Sequence, residues 1–213
     1  MNHSKLQRAA PSVLDRLFEV RPAAWILPAG LVVLLVALHA AGPHLTEALR
    51  YERQAVLAGE IWRLVTGHLV HADLPHLAWN LAGLLLVWFL FAGDYSAGQW
   101  LVILLASAVA IDLGFLFLER DLEWYVGFSG VLHGAMAAGL VAWLRAARDP
   151  LTVLVGTLFV AKLAWEHLYG ALPFTAASMS LPVIHAAHTY GAIGGALGAL
   201  RLRRERRESG ASL

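Results

Sequence analysis

Uncharged apolar stretches alternate with short polar segments along most of the chain. Residues 23–41, 128–144 and 181–200 contain no Asp, Glu, Lys or Arg. Each stretch is long enough to cross roughly 30 Å of hydrocarbon as an α-helix. Residues 77–92, 100–118 and 151–168 are less purely apolar but also predict spans. The pattern therefore predicts an all-α membrane protein, a bundle of six transmembrane helices.

The composition agrees with this prediction. The chain has 213 residues, of which 59% are hydrophobic and 15% charged, and its mean hydropathy is +0.62, unlike an ordinary soluble domain. It contains no cysteine, which excludes disulfides and thiolate metal sites. The net charge of +1 gives no indication of a nucleic-acid partner, and none is expected. The lipid bilayer is the partner that the composition predicts, and the oligomeric state stays open.

The positions of Lys and Arg predict the orientation. If the N-terminus is inside, eleven of these residues lie in cytoplasmic segments and four lie outside. Cytoplasmic loops carry the excess of positive charge, so we expect both termini inside. The chain then divides into a cytoplasmic segment (1–22), a six-helix domain (23–202) and a basic cytoplasmic tail (203–213). No cleavage site follows the first apolar run, which is expected to be retained as an anchor.

Polar residues on three predicted helices fall at one depth, near the outer ends. His76 and Asn80 lie on the second helix, Ser129 on the fourth, and His185 and His188 on the sixth. Polar side chains in hydrocarbon are costly and usually face the interior or a wet cavity. Each residue alone has a packing explanation, but independent packing roles predict no shared level. The shared depth therefore favours a functional site.

Glycines near Ser129 and His188 allow their two helices to approach closely. Gly130 and Gly134 follow Ser129, and Gly191 and Gly195 follow His188. A serine hydroxyl needs an imidazole within roughly 2.6–3.2 Å to take its proton during attack. The amide of a serine at a helix start can stabilise an oxyanion, and further donors on a neighbouring helix can assist. The pattern predicts a serine nucleophile with a histidine base.

Four motifs resemble the rhomboid family of intramembrane serine proteases. They are W-R at Trp62 and Arg63, H-x-x-x-N at His76 and Asn80, G-x-S-G at 127–130, and A-H-x-x-G-x-x-x-G at 187–195. The resemblance covers about residues 25–202. Any one motif is weak, but all four in order on the expected helices are specific. The family fold is a six-helix bundle with a water-filled site open to the outer side.

The resemblance implies a role for each matching residue. Ser129 is expected to be the nucleophile and His188 the general base and then acid. His76, Asn80 and the Ser129 amide are expected to stabilise the oxyanion. No cofactor and no metal are expected, and the implied substrates are single-span membrane proteins cleaved near the outer face.

A narrower resemblance points to the rhombosortase branch. It rests on the compact size, the histidine in GFSGVLHG, and the K-L-A-W-E-H-L-Y-G stretch at 162–170. It implies cleavage of C-terminal Gly-Gly sorting segments, in a bacterial inner membrane, with the site toward the periplasm. Hydrolysis and transfer to another acceptor both stay open.

Four further residues are expected to contact substrate or support the site: His133, Gly127, Glu166 and His185. His133 stands where many rhomboids have a tyrosine stacked on the catalytic histidine, and it is an alternative base. Glu166 is expected to pair with Lys162, four residues earlier, or otherwise to bind an amine of the substrate.

Other polar residues and other functions remain open at this stage. Asp112 has no evident partner, and His68, His71 and Asp73 are expected near water. The rival functions are an intramembrane metal-dependent hydrolase, for which HExxH is missing, a noncatalytic rhomboid-like chaperone, which would lack the serine and histidine, and a transporter.

Overall fold

The computed structural model describes residues 22–146, 149–173 and 183–202. Six long helices dominate these ranges, with three short helices and two short strands between the first and the fourth. In chain order the elements are a 3-10 turn Pro22–Trp25, α1 Ile26–Ala40, α2 Pro43–Leu49, β1 Tyr51–Glu52, α3 Arg53–Leu57, α4 Arg63–Thr66, α5 Leu74–Phe91, α6 Ala97–Phe117, β2 Trp124–Tyr125, α7 Ser129–Ala146, α8 Pro150–Tyr169 and α9 His185–Arg201.

Four helical segments in the described ranges are long and apolar enough to cross a membrane. They are Pro22–Ala40, Leu74–Phe91, Ala97–Phe117 and Pro150–Tyr169. The other two predicted spans correspond to α7 and α9, which are rich in glycine and alanine. Residues 181 and 182, the start of one predicted span, lie outside the described ranges, as do residues 1–21 and the tail 203–213. The chain is an integral membrane protein of apolar helices.

The centre of the bundle is the contact of α9 with α7 and α6. A Cβ on Gly191 would overlap the carbonyl oxygen of Gly130, and a Cβ on Gly195 would overlap that of Gly134. Glycine is therefore required where the backbones of α7 and α9 touch. Large apolar side chains of α1, α5, α6 and α8 stay exposed on the outside, as expected for surfaces that face lipid.

Side-chain caps fix the start of three long helices. The Asp73 side chain accepts a hydrogen bond from the His76 amide at 2.7 Å, and Asp149 does the same for the Thr152 amide at 2.8 Å. Ser96 and Gln99 form a capping box at the start of α6. Each cap satisfies an amide that has no partner inside its helix.

The segment between α1 and α5 is a folded cap rather than a loose tether. Arg63 donates hydrogen bonds to the carbonyl oxygens of Glu47 and Arg50, both at 2.9 Å. Arg53 donates to the carbonyl oxygens of Phe115 and Leu116, which end α6. The arginines of this segment therefore hold its short helices against one another and against the bundle.

The expectation that His68 and His71 lie near water was wrong. His68 is 3% exposed and His71 is 1% exposed. The Nε2 atom of His68 lies 3.2 Å from Oδ1 of Asp112, so Asp112 has a buried partner 44 residues earlier in the chain. His68 packs against Asp112 of α6 and Tyr125 of β2, and His71 packs against His76 of α5. Hydropathy of the segment alone does not indicate these contacts.

Candidate active site

Strand β2 and Gly127 bring the chain to Ser129. Tyr51 of β1 pairs with Tyr125 of β2 in antiparallel register, and the Gly127 amide donates to the Gly67 carbonyl at 3.0 Å. The Tyr125 hydroxyl donates to the Gly127 carbonyl at 2.7 Å, and burial raises the pKa of Tyr125, which keeps this donor protonated. The helix α7 begins at Ser129, so amides of its first turn have no intrahelical partner.

The Ser129 hydroxyl contacts the imidazole of His188. The distance from Ser129 Oγ to His188 Nε2 is 3.0 Å. The other ring nitrogen, Nδ1, lies 2.9 Å from Oε2 of Glu166. A carboxylate can only accept, so Nδ1 carries the proton and Nε2 is free to accept from the hydroxyl. The arrangement suits removal of a proton from Ser129.

His133 stacks on His188, with ring centroids 3.9 Å apart and an interplanar angle of 11°. Its Nδ1 donates to the Ser129 carbonyl oxygen at 2.7 Å, and its Nε2 accepts from Lys162 Nζ at 2.7 Å. Both ring nitrogens therefore have partners other than the Ser129 hydroxyl. This geometry favours His188 over His133 as the base.

Glu166 has two partners, one of which the sequence did not reveal. Its Oε1 accepts from Lys162 Nζ at 2.7 Å, as the spacing of four residues suggested. Its Oε2 contacts His188, a link that sequence reasoning missed. Sequence reasoning placed Glu166 near the site, as an acidic residue toward the outer end of an apolar helix, but it did not identify His188 as its partner.

The expected oxyanion donors lie in the same cavity as Ser129. His76 and Asn80 both line it, and Asn80 Nδ2 donates one hydrogen bond to the His76 carbonyl at 3.0 Å. The second N–H of the Asn80 amide is not used in that bond. Gly127, with φ of +123°, leaves room for the His76 ring, since a Cβ there would lie 2.6 Å from its Nε2.

The cavity has a volume of about 590 Å³ and is bordered by α5, α7 and α8, by the start of α9 and by residues 121–126. Its polar wall includes Ser129, His133, Lys162, Glu166 and His188. Its apolar wall is built from residues of three helices, including Leu86, Leu132, Met136 and Phe159. An apolar chamber with a few convergent polar groups is typical of a binding site.

Two expected site residues, Gly127 and His185, are not among the cavity-lining side chains of the described ranges. The His185 ring meets His188 edge-on, with centroids 6.3 Å apart. It therefore packs beside the base without lining the cavity.

His71 packs edge-on against His76, with ring centroids 5.1 Å apart. Burial and the neighbouring rings of His76 and His39 lower the pKa of His71 to about 3. His71 is therefore neutral at physiological pH and adds no charge beside the expected oxyanion donors.

Three side chains have the spacing of a metal-ligand group. Ligand atoms of His133, Glu166 and His188 lie within 4.8 Å of one another. The Lys162 ammonium already contacts two of the three, His133 and Glu166, at 2.7 Å. A metal ion would have to displace this ammonium, so the cluster fits its own lysine better than a divalent cation.

The comparison with known families agrees with the geometry. A family model described as the Rhomboid domain matches residues 58–205, which include every side chain of the cluster around Ser129. With its apolar helices and a serine and histidine in contact at one end of the bundle, the chain belongs to the rhomboid family of intramembrane proteases.

Proposed function

We propose that the protein is an intramembrane serine endopeptidase that uses Ser129 and His188. The observation that carries this proposal is the 3.0 Å contact between Ser129 Oγ and His188 Nε2 in a cavity of mostly apolar wall. An imidazole at this distance can activate the hydroxyl. A chain that had kept the fold only as a binding scaffold would not need this pair.

In the proposed reaction Ser129 Oγ attacks the carbonyl carbon of the scissile peptide bond, and His188 Nε2 takes the hydroxyl proton. The oxyanion is stabilised by Asn80, His76 and the Ser129 amide. His188 then gives the proton to the leaving amine as the C–N bond breaks. Water, activated in the same way, hydrolyses the acyl ester and restores the Ser129 hydroxyl.

The substrates are proposed to be transmembrane segments. The cavity lies between α5 and α8, whose outer surfaces carry exposed apolar side chains that face lipid. A segment in the bilayer can therefore approach the site without leaving hydrocarbon. The segment must unwind locally, because a fully hydrogen-bonded helix shields its carbonyl groups, and small residues near the cleavage point ease unwinding.

The outer side of the membrane is the proposed location of the site. We propose six spans with both termini inside, as the distribution of Lys and Arg indicates. The described site residues lie near the starts of α5, α7 and α9 and near the end of α8. These ends meet on one side of a bundle in which successive helices alternate in direction, which under this topology is the outer side.

A fluorophosphonate probe, which reacts with activated serines, tests the nucleophile. Purified wild type is expected to be labelled, and Ser129→Ala and His188→Ala are expected to lose labelling while they keep the wild-type melting temperature. Labelling is also expected to survive a metal chelator. Labelling of Ser129→Ala would overturn the nucleophile, and loss of labelling in chelator would favour the metal-dependent hydrolase.

We further propose that the protein is a rhombosortase of a bacterial inner membrane, with C-terminal Gly-Gly sorting segments as substrates. The support is the resemblance of GFSGVLHG and of residues 162–170. Co-expression with a secreted reporter that ends in Gly-Gly, an apolar helix and a basic end tests this. Wild type should release the reporter and Ser129→Ala should not, and the mass of the new C-terminus distinguishes hydrolysis from transfer. An uncut reporter beside a fluorophosphonate-reactive enzyme would overturn the subfamily alone.

A further inference from the structure

Glu166 is a buried acid on a helix most of whose residues are exposed or only partly buried. Within α8, Thr152 and Glu166 are the buried residues, and Glu166 is 6% exposed. A carboxylate in such a place is costly unless both oxygens have partners. Its position therefore calls for a role in the bundle interior rather than on the lipid-facing surface.

The two oxygens of Glu166 have different partners. Oε2 lies 2.9 Å from Nδ1 of His188, and Oε1 lies 2.7 Å from Nζ of Lys162. We propose that Glu166 is a positioning residue that completes a Ser129–His188–Glu166 triad, and that Lys162 fixes which oxygen faces the histidine. This inference rests on the proposed serine protease function and extends it.

Such a residue is needed because neutral imidazole has two tautomers, with the proton on Nδ1 or on Nε2. If the proton of His188 is on Nε2, that nitrogen cannot accept the proton of Ser129. A carboxylate on Nδ1 selects the productive form and stabilises the imidazolium that attack by Ser129 creates. A serine and a histidine without an acid have no such selection.

Lys162 and His133 lock the acid in place. Lys162 bridges Glu166 and His133, and His133 is anchored to the Ser129 carbonyl and stacked on His188. The contacts form a closed ring through the nucleophile, the base, the acid, the lysine and the second histidine. The lysine also balances the charge of the acid, which lowers the cost of burying it.

Glu166→Gln tests the proposal sharply because Lys162 controls how the new amide is oriented. The ammonium requires an acceptor, so the amide oxygen should face Lys162 and the amide NH₂ should face His188 Nδ1. That arrangement places the His188 proton on Nε2, the unproductive form. Removal of the lysine as well, in Glu166→Gln/Lys162→Met, frees the amide to turn its oxygen toward Nδ1.

The measurement is the saturation kinetics of fluorophosphonate labelling, which separates noncovalent binding of the probe from the maximal rate of serine modification. In Glu166→Gln the maximal rate should fall by about 10²-fold or more, with probe binding and melting temperature close to wild type. The double variant should react faster than Glu166→Gln, although it carries one more substitution.

The matched control is Glu119→Gln. The Glu119 side chain accepts a hydrogen bond from the Tyr190 hydroxyl at 2.8 Å, so it also contacts α9, but it lies outside the cavity wall. Its labelling rate should equal that of wild type. Ser129→Ala, measured in parallel, reports on the proposed function separately, because its labelling tests the nucleophile and not the acid.

A maximal rate in Glu166→Gln within about threefold of wild type would overturn the triad while leaving the serine nucleophile intact. A double variant no faster than Glu166→Gln would overturn the control of the histidine proton by Lys162 and Glu166. If Glu166→Gln does not fold, the double variant, which buries no unpaired charge, still tests the acid by comparison with wild type.

Discussion

At the scale of single residues, the glycines on either side of Ser129 have separate structural reasons. A Cβ on Gly127 would lie 2.6 Å from the His76 ring, and a Cβ on Gly130 would lie 2.8 Å from the Ala187 carbonyl oxygen. The first glycine makes room for an expected oxyanion donor, and the second lets the helix that carries the base come close. The two glycines of the G-x-S-G motif therefore let the His76 ring and the helix that carries His188 both come close to Ser129.

Asn80 is expected to contribute to the rate through the oxyanion. Asn80→Ala should lower the rate of fluorophosphonate labelling by about 10²–10³-fold, because it removes a donor placed for the developing charge. The measurement is the rate of labelling at equal probe concentration and equal melting temperature.

Ser107→Ala is the control for Asn80→Ala. Ser107 is buried in α6, and its hydroxyl donates to the carbonyl oxygen four residues earlier at 2.8 Å, as Asn80 does on α5. It loses the same kind of intrahelical hydrogen bond but lies outside the cavity wall. Equal rates for the two variants would contradict an oxyanion role for Asn80.

His133 is expected to support the base rather than to act as one. His133→Phe keeps a flat ring against His188 but removes both ring nitrogens, so it should keep labelling within about tenfold of wild type. His133→Ala should label more slowly, because it also removes the stacked ring. The comparison uses initial labelling rates, and a His133→Phe variant as inactive as Ser129→Ala would restore His133 as a base candidate.

The sequence predicted which residues of the site lie at the same depth in the membrane. It did not predict all of the contacts between them. Ser129 and His188 could be paired because both stand in motifs and both helices carry glycines. The contact between Glu166 and His188 joins residues 22 positions apart on different helices. Whether Glu166 faces His188 depends on how α8 is rotated about its own axis. Hydropathy does not indicate this rotation, because α8 is apolar on almost all of its faces.

At the scale of the helices, hydropathy located the long elements and missed their caps. The second predicted span began at residue 77, whereas α5 begins at Leu74, because Asp73 and Pro75 favour a helix start but interrupt an apolar run. The span predicted from residue 100 begins at Ala97 for a similar reason, the capping box of Ser96 and Gln99. An apolar run indicates the part of a helix that lies inside the bilayer. The first turns of α5 and α6 extend beyond that part, so hydropathy did not locate their starts.

The close contact of α7 and α9 should be sensitive to a single methyl group. Gly191→Ala places a Cβ against the Gly130 carbonyl, one turn from His188. The helices must separate there, which should cost about 1–3 kcal/mol and draw the base away from Ser129. Both the melting temperature in detergent and the labelling rate should fall.

Gly156→Ala provides the comparison on α8. A Cβ at Gly156 would meet its nearest neighbour, Leu140 Cδ2, at an ordinary 3.9 Å. Since alanine favours helix over glycine, this variant should be as stable as wild type or slightly more stable. A Gly191→Ala variant that behaves like Gly156→Ala would contradict the packing argument.

At the scale of the whole molecule, interior and peripheral helices have different compositions. The helices that contact each other most, α7 and α9, carry many small residues, whereas α1 and α8 have few buried residues and present large apolar side chains outward. This explains why a hydropathy criterion finds four spans among the described helices. Helices surrounded by protein need close packing more than hydrophobicity.

The folded cap before α5 was not predictable in detail from the sequence, because its strand β1 pairs with residues more than 70 positions later in the chain.

The proposed topology can be tested cleanly because the chain has no cysteine. Ala58, exposed in the cap between α1 and α5, should lie outside, and Ser212 in the basic tail should lie inside. In intact cells a membrane-impermeant maleimide should label Ala58→Cys and leave Ser212→Cys unlabelled, and both should react after the membrane is opened. Wild type gives the background, and the fluorophosphonate reactivity of each variant shows that its fold is retained.

The reverse labelling pattern would place the cap, and with it the cavity around Ser129, on the cytoplasmic side. Since the cap pairs with the strand that leads to Ser129, its sidedness also decides which compartment supplies the water for the proposed hydrolysis.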